Sequence, residues 1–360
     1  MKASFTQQEP VNPAECARDR HDVTESTAPI PRTRELTASI VLCTYNGERY
    51  IRQQLDSLLT QSRPPEQIVA VDDGSTDGTW EILQAFAEQA RGRGIAVDVQ
   101  RNPDNLGYVR NFETALQRAG ADMIFVCDQD DVWDPEKLAV MHERFEADTD
   151  LLLLHSDARL VDARLGDLGC SLFDALELGP DERQRVHEGF GFDVLLRRSI
   201  VTGATMAFRR SLLAHAVPFG DGWIHDEWLA IIAAAIGKID MVERKLIDYR
   251  QHDANQLGMR RRTLDVKVRE MGLSRAQLLR NDARRMESLL QRLRLSPIAV
   301  ARRTPARVQD KLEHTLVRMH ITDSARIKRI SPILREAAGG RYRRYGAGIR
   351  SVLRDLLRGG

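Results

Sequence analysis

The chain of 360 residues is 42% hydrophobic and 29% charged with a net charge of +1, which excludes a wholly disordered or collagen-like polymer and suffices for a substantial core. No uninterrupted apolar run approaches the roughly 18 residues of a bilayer-spanning helix, and the N-terminus carries no apolar signal core. The near-neutral total hides a division: Arg260 to Gly360 holds 26 Lys and Arg against 9 Asp and Glu, a net +17, whereas the rest holds 27 against 43, a net −16.

Residues 1–36 are polar, carry Pro10, Pro13, Pro29 and Pro31, and show no period, so they read as disordered. Order begins at Ala38. Ser39–Cys43 reads as a strand, and Ile51, Leu55, Leu58 and Leu59 mark a helix that stops before Pro64. Gln67–Val71 is a second strand, followed by a helix with Trp80, Leu83, Phe86, Ala87 and Ala90 inward. Strands over Ile95–Val99, Asp122–Cys127 and Leu151–His155 alternate with helices over Asn111–Ala119 and Pro135–Phe145. Continuous rather than alternating apolar strands belong to a sheet covered on both faces, so the pattern is a doubly wound α/β sheet. Leu165–Gly191 has little periodicity and reads as an acceptor-side flap, and Gly203–Phe208 as a further strand. Helices are expected over Leu264–Leu295, Pro305–His320 and from Gly348. In the last, Ile349, Val352, Leu353, Leu356 and Leu357 form a stripe beside Arg350, Arg354 and Arg358. That stripe suits either an anionic membrane interface or packing within a helical subdomain, and no motif accompanies the charge that would suit nucleic acid.

Ligands of such sheets sit beyond the carboxyl ends of the strands, where polar residues gather here. Thr44-Tyr-Asn-Gly-Glu48 follows the first strand, Asp72-Asp-Gly-Ser-Thr-Asp77 the second, and Asp128-Gln-Asp-Asp131 the fourth. Three carboxylates within four positions repel one another unless a cation neutralises them, and Mg²⁺ or Mn²⁺, which keeps few protein ligands, is the natural partner. The alternative is a solvated turn capping the next helix. Asp72 to Asp77 alone is more often a turn than a binding loop, although a carboxylate there can accept the imide N–H of uracil or thymine. No glycine-rich phosphate loop follows any strand, which argues against a dehydrogenase or kinase. Widely spaced Cys16, Cys43, Cys127 and Cys170 suggest free thiols in a cytoplasmic protein, Cys43 and Cys127 being small buried hydrophobes.

Cys43-Thr-Tyr-Asn-Gly47, Val71 to Asp77, Asn105-Leu-Gly107 with Arg110-Asn111, and Asp128 to Asp131 resemble, in order and spacing, the successive motifs of family 2 glycosyltransferases with the GT-A fold. The match is densest over Ser39–Trp133 and continues with gaps to about Gly258. His155-Ser-Asp157, His225-Asp-Glu-Trp228 and Tyr249-Arg-Gln-His252 resemble the rhamnosyltransferase branch. The resemblance implies a catalytic domain over 37–258, a basic helical extension over 259–360, and inverting transfer of rhamnose or another deoxyhexose from a dTDP- or UDP-sugar to a polysaccharide or lipid-linked saccharide. It places Thr44, Tyr45, Glu48, Asp73, Asn105, Arg110 and Asp128 around the donor, and Asp130, Asp131 and His252 at the metal. Asp226 is the expected general base with Glu227 its rival, since relatives carry Glu-Asp at this motif. An N-cap role for Asp226 and a packing role for His252 are the plainer readings. A metal-dependent nucleotidyltransferase is a second reading, but Thr44 to Glu48 lacks the basic triphosphate-binding residue it needs. A catalytically silent nucleotide-sugar-binding membrane adaptor is a third. On the first reading the protein works in the cytoplasm or against the inner face of the cell membrane.

Overall fold

The computed structural model describes residues 35–253 and 274–357; the expected disorder before Glu35, and the beginning of the helix expected from Leu264, lie outside the described residues. Among the described residues nine strands form one mixed sheet. β1 (Ala38–Thr44), β2 (Gln67–Asp72), β3 (Ala96–Arg101) and β4 (Met123–Cys127) run parallel in the order β3-β2-β1-β4. β8 (Met206–Arg209) pairs antiparallel with β4 and β6 (Leu151–Val161), and β9 (Lys238–Arg250) runs parallel to β6. Short β5 (Val132–Trp133) closes the edge against β9, and β7 (Asp167–Ser171) pairs with β6.

The side-chain alternation of the strands builds two cores. Ile40, Leu42, Ala70 and Phe125 face one layer, covered by helices Ile51–Leu59, Thr79–Gly92 and Lys137–Ala147. Val41, Cys43, Val71 and Val126 face the other, covered by Tyr108–Leu116, Gly191–Arg197 and His225–Ile236. The last helix buries nearly its whole surface, hence its lack of an amphipathic period.

Two expectations need correction, and one strand is additional to those expected. Leu165–Gly191 is not an unstructured flap: it forms β7, helices Leu172–Ala175 and Pro180–Arg185, and a wide turn, anchored by fully buried Phe173. Gly203–Thr205 is a single 3₁₀ turn, so the strand there begins only at Met206. β9, where charged and apolar residues are interspersed, is a thirteen-residue strand that periodicity does not reveal.

The basic helices pack on the second of these layers. Met286, Leu289 and Leu293 from Arg275–Arg294, and Val308 from Thr304–Asp323, enter the same core as Trp228. Burying each such side chain is worth about 1.5–3 kcal/mol. Arg292 stacks over Trp228 at 5.4 Å and donates to the carbonyls of His215 and Pro218 at 2.8 and 2.6 Å. Helix Arg326–Ala338, which the sequence did not announce, and Arg341–Tyr345 and Ile349–Leu357 follow.

Candidate active site

The polar loops after β1, β2 and β4 meet at one end of the sheet. Parallel pairing in register brings Thr44 beside Asp72, and the Thr44 hydroxyl donates to Asp72 Oδ1 at 2.9 Å. Asp72 also accepts the Ser75 amide at 3.0 Å, which makes it the organiser of its own turn. Asp73 is likewise spent on structure: its oxygens accept the Leu106 and Gly107 amides, both at 2.9 Å, and the Asn102 side chain at 2.7 Å. It therefore pins the loop carrying Asn105. Glu48 accepts the Gly78 amide at 3.0 Å. Tyr45, Asn105 and Arg110 are exposed at the rim.

Gln129 joins the first and fourth loops. Its amide accepts the Tyr45 N–H at 2.8 Å and donates to the Tyr45 carbonyl at 3.0 Å, as a neighbouring strand would. Gly47 is needed beneath it, because a Cβ there would lie 2.3 Å from Gln129 Oε1.

The acidic loop is held from β9. Asp131, fully buried, accepts the Arg250 N–H at 2.9 Å through Oδ1, while its Oδ2 is buried with no hydrogen-bond partner. The Arg250 guanidinium donates to the Asp130 carbonyl at 2.6 Å, the Ala163 carbonyl at 2.9 Å and Gln53 Oε1 at 2.7 Å. Asp130 Oδ2 meets His252 Nε2 at 2.8 Å, and that ring packs against Tyr50 at 4.6 Å. Burial, then the charges of Asp130 and Asp226, push Asp128 up to about 7. Burial, then the charges of Asp130 and Asp128, push Asp131 well above the ordinary carboxylate range. The internal counter-charge is Lys137, fully buried over the Trp133 ring at 3.5 Å and donating to the Ala204 carbonyl at 2.7 Å. Burial lowers it to about 7, against the pull of Cys127, Asp131 and Asp128.

Among the described residues no three acidic, histidine or cysteine side chains converge as a ready-made cation cage. The donor set nevertheless suits a hard dication that takes one or two protein ligands and fills its shell with water and phosphate. Asp130 and His252 offer an adjoining oxygen and nitrogen, and Asp131 an unpaired buried oxygen.

Asp226 lies in the first turn of helix His225–Ile236, close enough for its charge to act on Asp128. Oδ2 accepts the Gly203 amide at 3.0 Å and Oδ1 the Glu227 amide at 2.7 Å. Burial lifts it to about 6 despite those two donors. Glu227 is bound to Arg285 of helix Arg275–Arg294, so its carboxylate is already paired. Arg285 is itself fixed, its guanidinium 4.0 Å over Trp223 and its carbonyl accepting the Trp223 indole N–H at 3.1 Å. His225 stacks on Phe112 at 4.1 Å with neither ring nitrogen bonded, and burial drops it to about 3, so it is neutral. Tyr108 lies edge-on to His225 at 6.1 Å, and its phenol is raised by burial and by the charges of Asp226 and Glu227.

The structure thus brings Asp128, Asp130, Asp131, His252 and Asp226 together. His155 and Asp157 serve packing instead: His155 is fully buried edge-on to Phe173, and Asp157 accepts the Phe173 amide at 2.9 Å. Sequence reasoning missed Gln129, Lys137, Arg250, Tyr108 and Arg285 as parts of the site. Only Gln129, inside the run Asp128 to Asp131, and Arg250, between Tyr249 and His252, carried a signal.

Residues 39–213 match the family model described as Glycosyl transferase family 2. An uncharacterized glycosyltransferase of Nostoc sp. is 27% identical over 224 residues, 60% of this chain and 65% of that one. An uncharacterized protein of Mycobacterium tuberculosis is 28% identical over 217 residues, 59% and 58% respectively. The chain thus spans 58–65% of the length of these relatives. The crystal structure of residues 1–349 of TarS from S. aureus with UDP-GlcNAc superposes with a TM-score of 0.52 at 18% identity, covering 80% of this chain and 74% of that one. That likeness shows a common GT-A fold, and residues 39–213, just under half of the chain, are similar to the family 2 glycosyltransferases.

Proposed function

We propose that the protein transfers a sugar from a nucleoside diphosphate donor to a saccharide hydroxyl with inversion at the anomeric carbon. The observation that carries this reading is the nearness of two acidic groups: a crowded carboxylate loop suited to a dication, and a buried Asp226 whose charge acts on Asp128 of that loop. Asp226 removes the acceptor proton as the hydroxyl attacks, and a carboxylate near 6 is well matched to that task near neutral pH. Glu227, already paired with Arg285, is the weaker base. Asp130 and His252, with Asp131 beside them, would hold Mg²⁺ or Mn²⁺, whose chemistry is to neutralise charge on the departing diphosphate. Asp128 lies between the two groups and senses both charges. Tyr45, Asn105 and Arg110 line the nucleoside side, on a wall that Thr44, Glu48 and Asp73 brace from within. The dTDP- or UDP-linked sugar is rhamnose or a related deoxyhexose, and the acceptor a polysaccharide or lipid-linked saccharide. Both rest on resemblance around His225–Trp228 and Tyr249–His252.

Melting-temperature shifts with UDP- and dTDP-sugars, with and without Mn²⁺, test this. A productive donor at about 100 times its dissociation constant stabilises by about 2.7 kcal/mol. Stabilisation that needs Mn²⁺ and disappears in Asp130→Asn is expected. An equal shift in that variant would remove Asp130 from the metal.

A further inference from the structure

The end of the chain presents a surface that the transfer chemistry does not use. Helices Arg326–Ala338 and Ile349–Leu357 pack together through Ile333, Val352 and Leu356, around Ile321 and Tyr342. Each then leaves an apolar row outward. On the first the row is Ile327, Ile330 and Leu334, exposed by 80, 48 and 63%; on the second it is Ile349, Leu353 and Leu357, exposed by 69, 48 and 65%. Val352 and Leu356, which the sequence placed on the same stripe, turn inward and separate a packing face from an outward one.

Charge is sorted by the same division. The two acidic residues between Ser324 and Leu357 are both buried. Asp355 accepts from Arg318, Arg275 and Tyr342, and Glu336 pairs with His314 and Arg341. Arg326, Lys328, Arg335, Arg350 and Arg354, on the two helices themselves, are exposed. Every outward formal charge on these helices is therefore positive, beside rows of isoleucine and leucine. Phosphates of a nucleic acid would meet the arginines and leave the apolar rows wet, and an uncharged hydrophobic partner would leave the arginines unused. An anionic lipid surface satisfies both, taking the apolar side chains below its headgroups and the guanidinium groups among them. No helix among the described residues is long and apolar enough to cross a membrane.

We infer that these two helices form a docking face for an anionic lipid leaflet. The inference is independent of the proposed glycosyl transfer, and vesicle binding is measured without turnover.

The test is flotation of the full chain with vesicles of phosphatidylcholine, alone or with about one-third phosphatidylglycerol. Binding to the anionic vesicles only, weakening as salt is raised, is expected. Arg350→Ser with Arg354→Ser should weaken it about 30-fold, since each arginine near an anionic leaflet contributes about fivefold. Ile330→Ser with Leu353→Ser should weaken it at least about tenfold with the charges intact. All four side chains are exposed, so unchanged melting temperatures confirm that folding is not the cause. Equal binding to neutral vesicles, or undiminished binding by both double variants, overturns the inference. So does a wild type that ignores vesicles yet sediments as a dimer that Ile330→Ser with Leu353→Ser dissolves, because the face would then bind a second copy.

Discussion

Asp226 offers a test in which one number fixes two opposite effects. Burial lifts its carboxyl from an ordinary 3.8 to about 6. The ionised form is the one that can take a proton, so transfer should rise with pH through about 6 and level off above it. At about pH 5 roughly one-tenth of the groups are ionised, and transfer under single-turnover conditions should run at roughly a tenth of its plateau. Asp226→Asn should abolish this acid limb and lower the rate by about 10²–10⁴, with donor affinity unchanged. Stability runs the other way. The folded protein holds this proton more tightly than the unfolded chain, so the contribution is complete below about pH 4 and is lost as pH climbs through about 6. Asp226→Asn, which cannot ionise, should therefore melt above the wild type at about pH 8, with the gap closing toward pH 4. Release of quantified nucleoside diphosphate and thermal melts across pH supply both curves. A variant that transfers at the wild-type rate with the limb intact would refute the assignment. A limb that survives at a reduced rate would move the titration to Glu227.

Three further outcomes follow from the packing. Arg285→Gln strands the Glu227 carboxylate in a largely buried place and should cost about 1–3 kcal/mol by denaturant melts, between the values for exposed and fully buried pairs, with Arg285→Lys recovering part of it. Gly203→Ala sets a methyl 2.8 Å from His225 Nε2 and beside Asp226, and should lower kcat several-fold while the KM for donor stays near wild type. Gln129→Ala removes both hydrogen bonds to the Tyr45 backbone; at about 1 kcal/mol each, loosening of that wall should weaken nucleotide binding by up to about tenfold in calorimetry.

The half of the fold from Ala38 to Cys127 was legible because fully covered parallel strands leave unbroken apolar runs, and a polar loop after such a run must lie at the ligand edge. Asp128, Asp130 and Asp131 are candidates on that ground and on the resemblance, and Asp226 on the resemblance alone. β9 was not legible, because its burial varies along its length where it pairs with β6 on one side and β5 on the other. Arg250 grips a carboxylate 119 positions earlier, and Arg285 meets a glutamate 58 positions away; composition and period carry no record of such partners. The metal expectation met a subtler limit. Crowded acidic residues were visible as a run, whereas the diversion of one Asp131 oxygen to a backbone amide is visible only in the folded chain.

Arg250 shows how the two halves of the sheet depend on each other. Its guanidinium reaches the first helix at Gln53, the acidic loop at Asp130 and the turn after β6 at Ala163, so one side chain fastens segments that arise far apart along the chain. A lysine carries its charge at a single point and could not span that fork. Exchange of the nucleotide-facing portion with that of a relative should therefore succeed only when the final strand travels with it, because a junction placed between them would separate the clasp from what it holds.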